Sequence, residues 1–435
     1  MALIPALPQR CPHVACILLW YPLFTQPFIF QETENLRRRL PLTVYSLYGR
    51  HLKHCSAAMQ AAAPQTRTLG LRALPLLLRD TLRQCLRSPR RFFRLFRRCF
   101  RHRWPTWEML GENLWAFFAG CHLAFRFRED GMDIIYAPWP RGTATAALVA
   151  SAFSGIPFVT AARGDNLEPA DPDLAFKLRE ALFIRANNAA DKARIEALPG
   201  AHAAGKTRLV YNSLTLPAID VPSFSGFHSP PRLFAIGRFD VTKGFDVLLR
   251  ACALLRDRGV DFRLTLAGGG GKTLGLGNMG EKLHALRREL GLEQLVSMPG
   301  LVSHDDLPGL LRSQDIFLAP CVIDPATGMR DGIPNTVIEA LSFGLPVIAS
   351  TVNALPEIVR HEQTGLAVPP GDHVALADAV QRLLASPEEA RRLAAAGFQL
   401  ARDMFSPEAN ARRLAELFLH ADNERQGGRD SSCAV

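Results

Sequence analysis

Asp331-Gly-Ile-Pro-Asn-Thr-Val-Ile-Glu-Ala-Leu-Ser-Phe-Gly-Leu-Pro-Val-Ile-Ala-Ser350 decides the reading of this chain. Val337, Ile338 and Leu341 recur at helical spacing and give a helix one apolar side. Gly332 and Pro334 are expected to open that helix, because a proline in the first turn gives up an N–H that has no intrahelical partner. Gly344 ends it. Pro346-Val-Ile-Ala-Ser350 is a short apolar run of the kind buried in parallel sheets. Unpaired N–H groups and a partial positive charge make a helix start a phosphate site. Two carboxylates flank it: Asp331 just before the helix, and Glu339 roughly 12 Å further along at about 1.5 Å per residue. A ligand with a sugar, a diphosphate and a ribose in a row matches that layout. Read alone, an acid at a helix start is also common capping chemistry, and Glu339 also suits a solvated face.

The rest of the chain sets the frame. Its 435 residues suffice for two domains of ordinary size. Hydrophobic residues make up 48% and charged residues 21%, a globular balance. The net charge of +10 points to an anionic partner: a nucleotide, a phospholipid surface or a nucleic acid. The 9 cysteines lack the close pairing of a zinc or redox motif, which predicts reduced thiols in a cytosolic protein. No apolar run is long enough for a spanning helix.

Val14 to Tyr21 reads as a first buried strand or as the apolar core of a signal peptide. Pro22 and Pro27 interrupt it and no small-residue cleavage site follows, which favours the strand. A helix over Gln31 to Leu40 and a strand over Leu42 to Leu47 complete a βαβ opening. From Leu69 to Trp104 arginines alternate with leucines and phenylalanines, and after Asp80 the next acid is Glu108. Three readings stay open for this stretch: a membrane-surface helix, a basic helix docked on its own domain, and an arm for nucleic acid. Further strands are expected at Met132 to Tyr136, Gly155 to Ala161 and Arg208 to Asn212, with helices at Gly142 to Phe153 and Leu174 to Ile184. Ala162-Arg163-Gly164-Asp165 ends a strand, where ligands of such sheets bind, so Arg163 and Asp165 are candidates. An Arg–Asp turn pair explains them equally well. Pro217 to Pro231 reads as an interdomain linker.

A second alternating set begins at Arg232. Its first strand runs into Gly237-Arg238 and then Lys243-Gly244. The strand Phe262 to Ala267 leads into Gly268-Gly-Gly-Gly271-Lys272-Thr273. That run is not a P-loop, because the motif requires glycine where Leu266 stands. Helices are expected at Val374 to Ala385, Pro387 to Arg402 and Pro407 to His420, followed by a polar tail.

From about Leu233 to Phe418 the sequence resembles glycosyltransferase family 4. The resemblance rests on Gly237-Arg238-x4-Lys243-Gly244, Leu266-Ala-Gly-Gly269, Asp331-x7-Glu339-Ala340 and Gly344-x-Pro346-Val-Ile-Ala-Ser350, continued by Glu357-Ile-Val359 and Gly365-Leu366. Tyr21 to Phe30 followed by Glu32 is similar to the opening of members that build bacterial exopolysaccharide and lipopolysaccharide. The resemblance implies a GT-B fold, an α/β architecture of two Rossmann-like domains facing a cleft. The expected divisions are an acceptor domain over 1–220, a nucleotide-sugar domain over 229–404, a helix returning to the first domain over 405–422, and a disordered tail over 423–435.

By the same resemblance, Arg238 and Lys243 hold the donor diphosphate, a role that suits a bidentate guanidinium and a point charge. Glu339 binds the ribose hydroxyls and Asp331 contacts the donor sugar; Asp331, Arg238 and Lys243 are the catalytic candidates. Gly237, Gly268, Gly332, Asn335 and Thr336 complete the donor site. Thr25, Gln26, Arg163 and Asp165 are candidates on the acceptor side. The implied activity is retaining sugar transfer from a nucleoside diphosphate sugar to a glycan or lipid-linked acceptor, without a metal and without nucleic acid. The expected location is the inner face of the cell membrane, gripped through residues 83–103, with Phe92, Phe93, Phe96 and Phe100 entering the headgroup boundary. Asp331 stands where the family has glutamate, and Ala162 or Arg163 where many members have histidine. Two alternatives stay open: a nucleotide-sugar epimerase, which shares the two-domain fold, and a non-catalytic, membrane-bound nucleotide-sugar-binding protein, which these departures favour.

Overall fold

The computed structural model describes residues 11–24, 26–53, 55–163, 171–212, 214, 226–269, 278–303 and 305–432. Thr25, Asp165, the run Gly271-Lys272-Thr273 and most of the expected linker lie outside them. In chain order the first domain comprises β1 (Val14–Leu23), α1 (Pro27–Arg37), β2 (Leu42–His51), α2 (Ala57–Ala62), β3 (Arg67–Thr68), α3 (Leu74–Arg87), α4 (Pro89–Phe100), α5 (Trp107–Glu129), β4 (Ile134–Ala137), α6 (Gly142–Ser154), β5 (Phe158–Ala162), α7 (Leu174–Glu180), β6 (Ile184–Ala186), α8 (Ala189–Glu196) and β7 (Thr207–Leu209). The second comprises β8 (Arg232–Arg238), α9 (Phe245–Asp257), β9 (Arg263–Gly269), α10 (Met279–Glu289), β10 (Val296–Gly300), α11 (Leu307–Arg312), β11 (Ile316–Ala319), α12 (Asn335–Ser342), β12 (Val347–Ser350), β13 (Leu366–Val368), α13 (His373–Ala385) and α14 (Pro387–Phe405). The last helix is α15 (Pro407–Ser432).

Both sheets are parallel and doubly wound. Their strand orders are β3-β2-β1-β4-β5-β6-β7 and β10-β9-β8-β11-β12-β13. Strands buried on both faces read as continuous apolar runs, which is why Val14 to Leu18 and Val347 to Ala349 are wholly buried. In each sheet the order reverses beside the first strand, between β1 and β4 and between β8 and β11. Ligands of such sheets bind outside the carboxyl ends of the strands at that point.

The chain then crosses back. Phe405 ends α14 against Tyr211, with ring centroids 5.4 Å apart. From Pro407, α15 lays Leu414, Ala415, Phe418 and Ala421 into the core under β1 and β4. Phe418 meets Tyr136 and Phe183 at 5.4 and 5.8 Å. Arg412 stays exposed beside Glu416.

Several expectations need correction. The helix expected over Leu174 to Ile184 stops at Glu180, and Ile184–Ala186 is a central strand, its three residues too few for a visible alternation. The 23-residue α5 went unread, because it is apolar around most of its circumference and has no single stripe. The tail expected to be disordered from Asn423 continues α15 to Ser432. A helix already formed on a core extends without a new nucleation cost. The phenylalanines expected at a membrane mostly face inward: Phe92 is buried, and Phe96 and Phe100 pack with it on Phe117 at 5.3 to 5.6 Å.

Candidate active site

The cleft forms where the carboxyl ends of the two sheets face each other. Strand β8 ends in Gly237 and Arg238, and a single turn over Val241–Lys243 follows, where the Asp240 carboxylate accepts from the Thr242 amide at 2.9 Å. Gly244 closes the turn at φ +61°, and a Cβ there would lie 2.0 Å from the Pro320 carbonyl oxygen. Only glycine fits, and this turn fixes the stem of Lys243. Gly268 plays the same part on β9: at φ +132° its Cβ would lie 1.9 Å from the Gly237 carbonyl oxygen.

From this turn the Lys243 ammonium reaches Asp331 at 2.9 Å. Asp331 is buried, Thr242 Oγ1 lies 3.5 Å from the same carboxyl oxygen, and Asn353 donates to its backbone carbonyl at 2.9 Å. Burial by itself would raise the Asp331 carboxyl, but the Lys243 ammonium beside it prevails and holds it below the usual range. Burial likewise opposes the charge of Lys243, and Asp331 restores it and carries the ammonium above its ordinary value. Arg238 stands at the mouth, 41% exposed, with Nε 3.4 Å from Asp240.

Helix α12 begins at Asn335 rather than at Gly332, with Pro334 as the residue before it and no side chain capping its N–H groups. Gly332 and Ile333 form the turn that leads into it, so the helical rise separates Glu339 from Asn335, not from Asp331. Val337, Ile338 and Leu341 are buried against β11 and β12, which leaves Asn335, Thr336 and Glu339 toward the cleft. Burial alone pushes the Glu339 carboxyl up to about 7.

The first domain supplies the opposite wall, from Phe24, Gln26, Phe28, Trp139, Arg163, Asn187 and Asn212. With Gly237, Arg238, Lys243, Gly268, Asp331, Gly332, Asn335, Thr336 and Glu339 from the second, they enclose a cavity of about 330 Å³. A volume of that size is at the lower end for a small-molecule site. The structure therefore brings every expected donor-site residue to one cleft, and adds Gln26 and Arg163 of the acceptor-side set.

Arg163 departs from the role considered for it. Its guanidinium is fully buried between the rings of Phe28 and Trp139, at 5.2 and 5.0 Å. It donates to the Pro138 carbonyl at 3.1 Å, to Asn212 at 2.7 Å and to Glu32 at 3.3 Å. Glu32 also pairs with Arg185, and Asn212 reaches Asn335 across the cleft at 3.4 Å. With all three of its nitrogens engaged by the protein, Arg163 positions the wall rather than contacting the acceptor, the role expected for it. Trp139, Asn187 and Asn212 were not expected in the site. Trp139 stands two residues beyond β4, and the strand-end rule applied to Met132 to Tyr136 would have found it.

A second set of contacts joins the domains. The Glu357 carboxylate accepts from the first two amides of α8, Ala189 and Ala190, both at 3.0 Å, and from the Tyr211 hydroxyl at 2.9 Å. Charge there favours a helix N-terminus.

Residues 230–386 match the family model described as Glycosyl transferases group 1. A protein of Escherichia coli (strain K12) named for colanic acid biosynthesis, WcaL, is 34% identical over 157 residues, 36% of this chain and 36% of its own. The amylovoran biosynthesis glycosyltransferase AmsK of Erwinia amylovora is 30% identical over 190 residues, 44% of this chain and 45% of its own. This chain thus spans less than half the length of either relative. Across nearly the whole chain the fold is similar to that of Anabaena HepE in complex with UDP, at TM-score 0.65 and 19% identity, covering 93% of this chain and 99% of that one. Two parallel, doubly wound sheets facing one cleft, together with this likeness, give the chain the GT-B fold, and its second domain matches the group 1 glycosyltransferases.

Proposed function

We propose that this protein transfers a sugar from a nucleoside diphosphate sugar to a glycan or lipid-linked glycan hydroxyl, with retention of configuration, in cell-surface polysaccharide biosynthesis. One observation carries the reading: the Lys243–Asp331 pair, the uncapped start of α12 and the Glu339 carboxyl line one interdomain cavity. The donor diphosphate lies against Arg238, Lys243 and the amides of Asn335 and Thr336, which neutralise the charge that grows as the sugar leaves. Glu339 accepts from the ribose hydroxyls. Asp331 accepts from the sugar, and the ligand phosphate then competes with it for Lys243. No side chain is assigned as a nucleophile. The acceptor oxygen attacks the face that the diphosphate leaves, and a leaving phosphate oxygen takes the acceptor proton.

Support comes from the two relatives, named for colanic acid and for amylovoran biosynthesis, and from the UDP bound by the structural neighbour. Among the described residues no helix is long and apolar enough to cross a membrane. In this reading the acceptor lies at the inner membrane face, reached from the basic helices α3 and α4. The test is incubation of the purified chain with a panel of nucleoside diphosphate sugars and a lipid extract, with the product linkage read by proton NMR. An axial donor bond that stays axial in the product supports retention; an inverted bond overturns it. A new sugar isomer formed without acceptor makes the protein an epimerase.

A further inference from the structure

Helix α3 is packed inside out. Its buried side carries Leu77 with three polar residues, Asp80, Thr81 and Gln84. Asp80 bonds to His122 of α5 at 2.7 Å and to Arg79 at 2.9 Å, and Gln84 donates to the Cys121 carbonyl at 3.4 Å. Its leucines face the other way. Leu78, Leu82 and Leu86 are 50%, 60% and 74% exposed, and Leu74 continues the row. These four recur every fourth position and so form a single ridge. Arg79, Arg83 and Arg87 each follow a leucine and lie about 100° further round. They form a second exposed row parallel to the first. Arg83 and Arg87 are held over the Phe125 ring at 4.8 and 5.2 Å, which fixes their row against the body of the domain.

A solvated helix puts its polar side outward. A ridge of leucines bordered by arginines suits the boundary between acyl chains and anionic headgroups. The charge on the page decides between occupants. Asp80 is the only acid between Leu69 and Trp107, and it is buried. A second copy docked symmetrically on this face would set arginine against arginine, since such an interface pairs each patch with itself. An anionic bilayer has the complementary charge.

We infer that the exposed leucine ridge of α3, with the arginine row beside it, is the element that enters an anionic membrane surface. This rests on the membrane reading above and moves the insertion from the phenylalanines of α4 to Leu74, Leu78, Leu82 and Leu86. The ridge enters the acyl boundary, and Arg79, Arg83 and Arg87 bind the headgroup phosphates.

The experiment is flotation of the full chain with vesicles of phosphatidylcholine alone or mixed with phosphatidylglycerol, at low and high salt. The paired change Leu78→Gln with Leu82→Gln lies on solvent and leaves the fold intact, checked by circular dichroism. It is expected to lower partitioning onto the mixed vesicles by about tenfold or more at both salt levels, because apolar burial is not screened. Arg79→Gln with Arg83→Gln is expected to lower partitioning at low salt and to change little at high salt. Phe93→Gln, on α4, is expected to change partitioning less than the leucine pair. If the wild type floats and the leucine pair floats equally well, the ridge is not the inserting element, though the membrane reading stands. If the wild type fails to float with mixed vesicles at low salt, the membrane reading itself falls. A chain that sediments as a dimer and becomes monomeric in the leucine pair assigns the ridge to a protein interface and overturns the inference.

Discussion

Replacing Glu339 by glutamine tests the ribose assignment through pH. Burial pushes this carboxyl up to about 7. Hydroxyls donate, and an ionised carboxylate accepts through both oxygens, so the ribose selects the ionised form. At about pH 8 roughly nine-tenths of such carboxyls are ionised, and at about pH 6 roughly one-tenth. Nucleoside affinity should therefore rise about tenfold between those values, equivalent to about 1.4 kcal/mol. A nucleoside is the right probe, because a terminal phosphate itself titrates near about pH 6. Calorimetric titration of wild type and Glu339→Gln gives the two profiles. The variant should bind weakly with no slope. Folding stability carries the opposite sign. A carboxyl raised above its unfolded value of 4.5 costs stability in full above about pH 7 and nothing below 4.5. That cost is on the order of 3 kcal/mol at most. Glu339→Gln should thus melt higher than wild type near about pH 8 and level with it near about pH 4. A flat wild-type binding profile, or the same slope in the variant, would refute the reasoning.

Lys243→Ala and Arg238→Ala should each weaken nucleoside diphosphate binding by about 1.5–3 kcal/mol, the range for a hydrogen bond to a charged group, while sparing the nucleoside; calorimetry with both ligands checks this. Asp331→Asn should lower kcat far more than nucleotide affinity, read in a transfer assay; unchanged turnover and sugar selectivity would remove Asp331 from the sugar. Phe418→Ala, which empties a fully buried contact with Tyr136 and Phe183, should destabilise the first domain by about 3–5 kcal/mol in thermal unfolding. Glu357→Gln should loosen the domains, seen as a larger radius of gyration in solution scattering and an unchanged nucleoside affinity.

The second domain was legible because its motifs carry local physics. Gly244 and Gly268 mark places where a Cβ would strike backbone, and the apolar positions of α12 mark its buried side. The donor residues sit on those same turns, so finding the turn finds the residue. The wall from the first domain was harder to read. Arg163 looks like a ligand-contacting residue at a strand end in sequence, but Glu32, 131 positions away, and Asn212 engage it in the fold. No local pattern reports such pairings. Helix α3 was legible only in part. Its leucine spacing marks an amphipathic helix, but the sequence leaves open whether that side meets a membrane or its own domain. Only the structure shows Asp80 bonded to His122 beneath it and the leucines on solvent.

The claim at the centre of this account is that the interdomain cleft binds a nucleoside diphosphate through Lys243 and Glu339. Calorimetric titration of the full chain with UDP and with GDP tests it most directly, repeated on Lys243→Ala and Glu339→Gln. The account predicts saturable binding of one of them at one site per chain, weakened in both variants. Binding that is absent for both UDP and GDP near millimolar concentration, or unchanged in both variants, would contradict it.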